Sequence, residues 1–284
     1  MPIHTEVVEY LTNMTDLKAV ADAIRAKGGT SGVLVYPDGF VSAINAITTG
    51  GGSDDVLNSI IDRSIAGKYE NNTVESIGNY AFYQCEKLTT IIIGAVKSIG
   101  VEAFENCFNL TTVNAPEATS MGNTAFYCCY RLSTIFAPKT TTIGSNAFAA
   151  CENLQKAEFP VLKTIGGRAF SNTGLKNVNY PLITSIPYAA FERCDSLIKA
   201  DFTNVTSIGS SAFYKATVLE TVILRGSNVA TLASPAFSET PIANGTGYIY
   251  VPSTLVAAYK DATNWATYAD QIRAIEDYPS ITGG

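Results

Sequence analysis

Apolar positions in the middle of the chain follow neither a continuous helical period nor a simple alternation. Residues 77–93 show the unit: Ile77 and Gly78, then Ala81, Phe82 and Cys85 at helical spacing, then Leu88, Ile91 and Ile93 with a strand-like beat. This pattern predicts one short helical turn that buries Ala81, Phe82 and Cys85, entered through a turn at Gly78 and followed by a strand. The unit recurs. Its Phe stands at Phe82, Phe104, Phe126, Phe148, Phe170, Phe191, Phe213 and Phe237, at spacings of 22, 22, 22, 22, 21, 22 and 24 residues. A near-constant period in the twenties is the signature of a solenoid whose coils bury their apolar faces only against their neighbours. Eight coils of about 22 residues are therefore predicted, stacked strand on strand at about 4.8 Å into a slab roughly 40 Å long.

Stacking sorts residues into columns. Phe forms one spine and Leu88, Leu110, Leu132, Leu154, Leu175, Leu197 and Leu219 a second. A hydroxyl precedes each Ile or its substitute, at Ser76, Ser98, Ser120, Thr142, Thr164, Ser185, Ser207 and Thr231. A ligand-binding ladder is one reading of that column; hydroxyls that bond one another or nearby backbone are the better one. The pattern Ile-Gly-x-x-Ala-Phe-x-x-Cys-x-x-Leu-x-x-Ile, clearest at residues 77–91 and 143–157, resembles the BspA-like leucine-rich-repeat family of bacterial surface and host-interaction proteins. The resemblance spans residues 74–242 and implies an α/β leucine-rich-repeat solenoid acting as a non-enzymatic binding or adhesion scaffold. Pro187 and Ala233 depart from it at the turn Gly, and Thr173 and Ala216 at the Cys.

Both ends of such a stack need covers. Val56, Leu57, Ile60, Ile61 and Ile65 have the spacing of an amphipathic helix ending near Gly67, so residues 56–73 are read as the front cap. Residues 247–284 are read as the rear cap: a strand at residues 248–251, then helical segments carrying Leu255, Val256, Tyr259, Trp265, Tyr268, Ile272 and Ile275. Residues 1–47 form a separate helical module. In it Thr15 N-caps a helix bearing Leu17, Val20, Ala21 and Ile24, Gly28 and Gly29 stop that helix, and a second follows Pro37. Residues 48–55, with Gly50, Gly51 and Gly52, read as a flexible linker. The segment at residues 15–30, continuing through residues 36–44, is similar to N-terminal segments of prophage tail and minor structural proteins from Gram-positive gut bacteria, which implies an anchoring module on other virion proteins.

Composition narrows the function. Only 15% of residues are charged against 46% hydrophobic, and the net charge of −6 comes without a basic run. Phosphate backbones and anionic membranes are held mainly by clustered Lys and Arg, so a nucleic-acid partner is not expected. No apolar stretch approaches the roughly 20 residues of a membrane span, and no secretory signal pattern opens the sequence. The expectation is synthesis in a bacterial cytoplasm and association with a virion, the alternative being a cell-surface location. His4 is the single histidine, which leaves no Ser-His-Asp or multi-His metal machinery, and neither enzymatic activity nor a cofactor is expected. Cys85, Cys107, Cys129, Cys151 and Cys194 share one repeat slot, with Cys128 as the exception. They are expected to be buried, reduced thiols.

If the scaffold binds a ligand, outward strand columns should carry it. One runs through Ile92, Asn114, Phe136, Glu158, Asn179, Asp201 and Ile223, the other through Thr90, Thr112, Thr134, Lys156, Asn177, Lys199 and Thr221. The candidate site is Phe136, Lys156, Glu158, Asn177, Asn179, Lys199 and Asp201: an exposed aromatic beside amides and both charges, suited to a protein or glycan on a bacterial or host surface. An ordinary solvated sheet face is the competing reading. A second candidate surface lies on the helical-turn side, where Tyr83, Phe108, Tyr127 and Tyr130 gather unless they merely pack along the stack.

Overall fold

The computed structural model describes Arg63 and residues 65–282. They form a parallel β-solenoid with two strand ladders. Short strands lie just before each turn segment: Ser76–Ile77, Ser98–Ile99, Ser120–Met121, Thr142–Ile143, Thr164–Ile165, Ser185–Ile186, Ser207–Ile208 and Thr231–Leu232. The long ladder runs through Gly67–Glu70, Leu88–Ile92, Thr112–Asn114, Thr134–Phe136 and Lys156–Glu158, then through Asn177–Asn179, Lys199–Phe202, Thr221–Leu224, Tyr248–Val251 and Ile272–Ala274. The eight Phe units are thus flanked by further strands at both ends, and the stack has about nine turns.

Three local expectations need correction. The Phe-bearing segment is not a helical turn, so the α/β label gives way to a β-solenoid. In residues 80–85 the N–H groups of Tyr80, Phe82 and Gln84 donate to Val101, Ala103 and Glu105 of the next coil at 2.9, 2.7 and 2.8 Å. Those of Ala81, Tyr83 and Cys85 donate within their own coil, to Gly78, Tyr80 and Phe82. Alternate amides therefore stitch the coil to its neighbour, and the ones between close tight turns. Tyr80 and Gln84 take left-handed backbone, φ 59° and 58°, as do Glu102 and Asn106, then Thr124 and Cys128. Each such residue costs about 1–2 kcal/mol, offset by the bond its N–H makes to the next coil.

The glycine column serves close approach, not an unusual dihedral. A Cβ on Gly122 would lie 2.6 Å from the Gly100 carbonyl carbon and the Val101 nitrogen, and one on Gly144 would lie 2.5 Å from the Asn123 nitrogen. Coils meet backbone to backbone there. Ile272, read as helical, instead stands in the last strand of the long ladder, paired with Ile249.

The core follows the predicted columns. Successive Phe rings stack with centroids 5.0 to 5.6 Å apart and planes within 11° from Phe82 to Phe237. The Leu column is fully buried beside it. At the rear, Trp265 closes the spine, 6.2 Å from Phe237, with Tyr268 edge-on to the same ring. Its indole N–H donates to the Ala230 carbonyl, and the Tyr259 hydroxyl accepts from the Ala230 N–H. Helix α1 (Val256–Asp261) carries Tyr259, and a 3-10 segment, Ala266–Gln271, carries Tyr268. At the front, Tyr69 packs on Phe82 at 4.8 Å. The expected N-terminal module, the linker, His4 and most of the front-cap helix lie outside the described residues.

Both ladders break at one place, between the coils of Lys156–Glu158 and Asn177–Asn179. The single 21-residue spacing falls there, because one residue is missing between Thr173 and Leu175. Gly174 lets the shortened chain pass so close that a Cβ would sit 2.4 Å from the Glu152 carbonyl oxygen. The Phe side continues unbroken, with Phe170 donating to the Ala190 carbonyl.

Candidate functional site

The outward strand face divides into an open half and a covered half. Phe136 is 53% exposed and lies in register between Asn114 and Glu158. Lys156 and Glu158, two residues apart on the same face, form an ion pair of 2.9 Å. Asn177 and Asn179 follow across the ladder break, both exposed. These five of the seven expected residues face solvent, with the aromatic disc and the internally compensated charge pair on one side of the ladder break and the two amides on the other.

Lys199 and Asp201 are in register with Asn177 and Asn179, yet both are already engaged. The Arg225 guanidinium grips Asp201 through two bonds of 2.9 and 2.8 Å, which push the Arg225 pKa up. Lys199 donates to the Ile281 carbonyl at 2.7 Å. The C-terminal segment crosses this end of the face: Tyr278 stands edge-on against Tyr250, and Ile223 and Tyr250, on the outward column, are buried. Ile223 therefore departs from its expected outward exposure.

Asn114, named in the outward column but not in the expected site, belongs to the open half. Asn114 Oδ1 is shielded from solvent and has no hydrogen-bond partner among the described residues, one coil from Phe136. Its place in the outward column was visible, but the burial of its carbonyl was not.

Hydroxyl columns hold coils together. Thr111 and Ser133 donate to the carbonyls of Thr89 and Thr111, while Thr119 and Thr141 donate to those of Lys97 and Thr119. The column singled out in the sequence contributes the Ser207–Ser185 bond of 2.8 Å and a long Thr231 bond to the Thr206 carbonyl. All six cysteines are free and buried. The thiols of Cys107, Cys129, Cys151 and Cys194 donate to the Phe82, Phe104, Phe126 and Phe170 carbonyls at 3.0 to 3.2 Å. Burial pushes their pKa values up, that of Cys194 to about 11. Among the described residues no group of three or more His, Cys, Asp or Glu gathers as a metal site, and no helix is long and apolar enough to cross a membrane.

On the turn side, Phe108 and Tyr130 stack at 5.5 Å with planes 17° apart, and Tyr80 meets Tyr83 edge-on at 6.1 Å. The second aromatic surface is thus formed, and Tyr127 and Tyr130 are exposed on it.

A parallel solenoid built on a buried Phe spine, with an open strand face on one side, defines a leucine-rich-repeat scaffold. The BspA type leucine-rich-repeat region matches residues 69–161 and 141–258, and the chain belongs to that family. Solved structures with a similar course include the leucine-rich-repeat protein TpLRR of T. pallidum, 25% identical, covering 51% of this chain and 72% of that one with a TM-score of 0.48. A leucine-rich cell surface protein of Faecalibacterium prausnitzii is 20% identical, with 73% and 82% covered and a TM-score of 0.31. The pneumococcal vaccine antigen PcpA is 17% identical, with 74% and 77% covered and a TM-score of 0.41. No curated protein matches the chain.

Proposed function

We propose that the protein is a non-enzymatic binding and display protein, a phage-derived structural or host-attachment component whose solenoid engages a protein or glycan on a bacterial surface. The observation that carries the binding reading is Phe136, a large apolar ring held more than half exposed on a ladder of rigid strands, with Asn114 in register on one side and Glu158, paired to Lys156, on the other; Asn177 and Asn179 stand exposed beyond the ladder break. A flat aromatic flanked by amides and a compensated ion pair stacks on a sugar ring or an apolar side chain while its neighbours bond polar groups. Lys199 and Asp201 serve as the structural border of the surface, since the C-terminal segment and Arg225 already occupy them. The phage assignment rests on the resemblance of residues 15–30 and 36–44 to tail-protein segments, with residues 1–47 as the anchor. A cell-surface adhesin is the second reading, favoured by membership of the BspA type family.

Purified full-length protein should be tested against intact bacterial cells and glycan arrays, alongside Phe136→Ala and Asn179→Ala. Retained binding by both variants would remove the strand face as the site. A tail-component partner recovered through residues 1–47 would support the phage reading, whereas surface display without one would favour the adhesin.

A further inference from the structure

The turn side of the first coils carries a second surface with its own chemistry. Residues 80–86, 102–108, 124–130 and 146–152 contain Glu86, Glu102, Glu105 and Glu152 and neither Lys nor Arg. The coil register sets these carboxylates among rings. Tyr83, Glu105 and Tyr127 occupy the same slot in three successive coils, and Glu86, Phe108, Tyr130 and Glu152 occupy another. Phe82, Phe104 and Phe126, one residue before the first slot, rise 5.0 and 5.1 Å per coil. A cation centred over Glu105 would then stand about 5 Å from the positions of both flanking tyrosines, within the roughly 6 Å over which a ring face attracts a cation.

The chain already illustrates the preference. Arg63 lays its guanidinium over the Tyr83 ring, 5.5 Å from the centroid, and its Nη1 bonds the neighbouring Gln84 side chain. No cation lies over the ring of Tyr127 or of the Phe108–Tyr130 pair among the described residues, although the charge of Arg168 reaches Tyr127. Among the described residues the side-chain partners of the Glu105 carboxylate are Asn106, through a long bond of 3.4 Å, and Glu102, and neither is a cation. Partial burial and the neighbouring Glu102 raise Glu105 to about 7, so the carboxylate lacks a strong positive partner.

We propose that this patch docks an arginine-bearing peptide segment of a partner protein, with one guanidinium over Glu105 between Tyr83 and Tyr127 and the chain continuing along Phe108 and Tyr130. Arginine fits better than lysine, because a planar guanidinium stacks on aromatic faces and bonds a carboxylate through two parallel donors. The patch lies outside the outward strand columns and does not depend on their function.

Titration calorimetry of the full-length protein with a capped peptide of alternating glycine and arginine tests the assignment. The controls are the same peptide with lysine, and with citrulline, which keeps the shape and removes the charge. The arginine peptide should bind best and the citrulline peptide at least about tenfold more weakly, since both the carboxylate and the rings select for charge. Glu105→Gln, and Tyr127→Ala combined with Tyr130→Ala, should each weaken arginine-peptide binding about fivefold, while Glu220→Gln, an exposed carboxylate remote from the patch, leaves it unchanged. These positions are partly or well exposed, and melting curves check that the variants fold. Absence of arginine-peptide binding, equal binding of the citrulline peptide, or equal losses from Glu105→Gln and Glu220→Gln would each overturn the proposal.

Discussion

The Cys107 thiol donates to the Phe82 carbonyl 3.1 Å away, one coil back. That carbonyl also accepts the Cys85 N–H, so the sulfur supplies a second donor where a coil reverses direction inside the core. The relationship repeats at Cys129, Cys151 and Cys194, so the recurring sulfur is a small buried side chain that also carries a donor for the preceding coil. Thr173 shows the alternative: its hydroxyl turns to its own Phe170 carbonyl at 2.9 Å and contacts the Cys194 sulfur at 3.3 Å.

The thiols should therefore be inert in the folded protein. Burial disfavours the thiolate of Cys107, Cys129, Cys151 and Cys194, and the thiolate is the reactive species. Thiol titration of native protein near pH 8 is expected to leave these four unreacted, whereas titration in denaturant should count all six cysteines. Fast native reaction of the column would show that the coils open readily.

Glycine-to-alanine changes should separate close approach from simple turn formation. Gly122→Ala drives a Cβ to 2.6 Å from backbone atoms of the preceding coil, and backbone cannot swing aside. A loss of about 1–3 kcal/mol, the usual cost of overpacking, is expected. Gly167→Ala meets only the Tyr188 carbonyl oxygen, at 3.4 Å, and φ there is not left-handed, so it should lie within about 0.5 kcal/mol of wild type. Urea unfolding of the two variants makes the comparison, and equal losses would contradict the packing account.

Trp265 should act as the latch of the rear end. It is fully buried, closes the Phe spine at Phe237 and donates to the Ala230 carbonyl at 2.6 Å. Trp265→Ala should cost about 3–5 kcal/mol, and Trp265→Phe less because only the donor and part of the ring are lost. Hydrogen exchange should show the loss concentrated in the last coils, since each coil of a solenoid contacts only its neighbours. Uniform acceleration along the stack would refute the latch.

What the sequence revealed and what it hid follow one physical rule. The Phe, Leu and Ile columns were legible because stacking forces equivalent residues to repeat, and repetition survives without any knowledge of the partner. Turn geometry was not legible. Ala81, Phe82 and Cys85 have helical spacing, yet the backbone takes left-handed values at Tyr80 and Gln84, residue types that do not announce them. The end of the stack was hidden for another reason, since Ile272 left the repeat and only its pairing with Ile249 identifies the last strand. The strand face was half legible: Phe136, Lys156, Glu158, Asn177 and Asn179 stand open as alternation predicts. Lys199 meets a carbonyl 82 residues away, a contact no local pattern encodes.

Glu105 should leave a signature in the pH dependence of stability. Burial first, and then the charge of Glu102, raise its pKa in the folded protein from 4.5 to about 7. An unfolded chain releases that proton near 4.5, so between about pH 4.5 and 7 the folded state holds more proton than the unfolded one. The contribution of Glu105 is fully present below the lower value and is lost as pH rises through the upper one. Carboxylates that do not interact with Glu105 titrate alike in wild type and Glu105→Gln and cancel in the difference. The variant should therefore gain on wild type progressively from pH 4.5 to 7.5 in urea-unfolding midpoints, with the gap levelling off above that range. Midpoint curves that run parallel across the range would mean that Glu105 ionises as an ordinary surface carboxylate and that the slot between Tyr83 and Tyr127 is open to water.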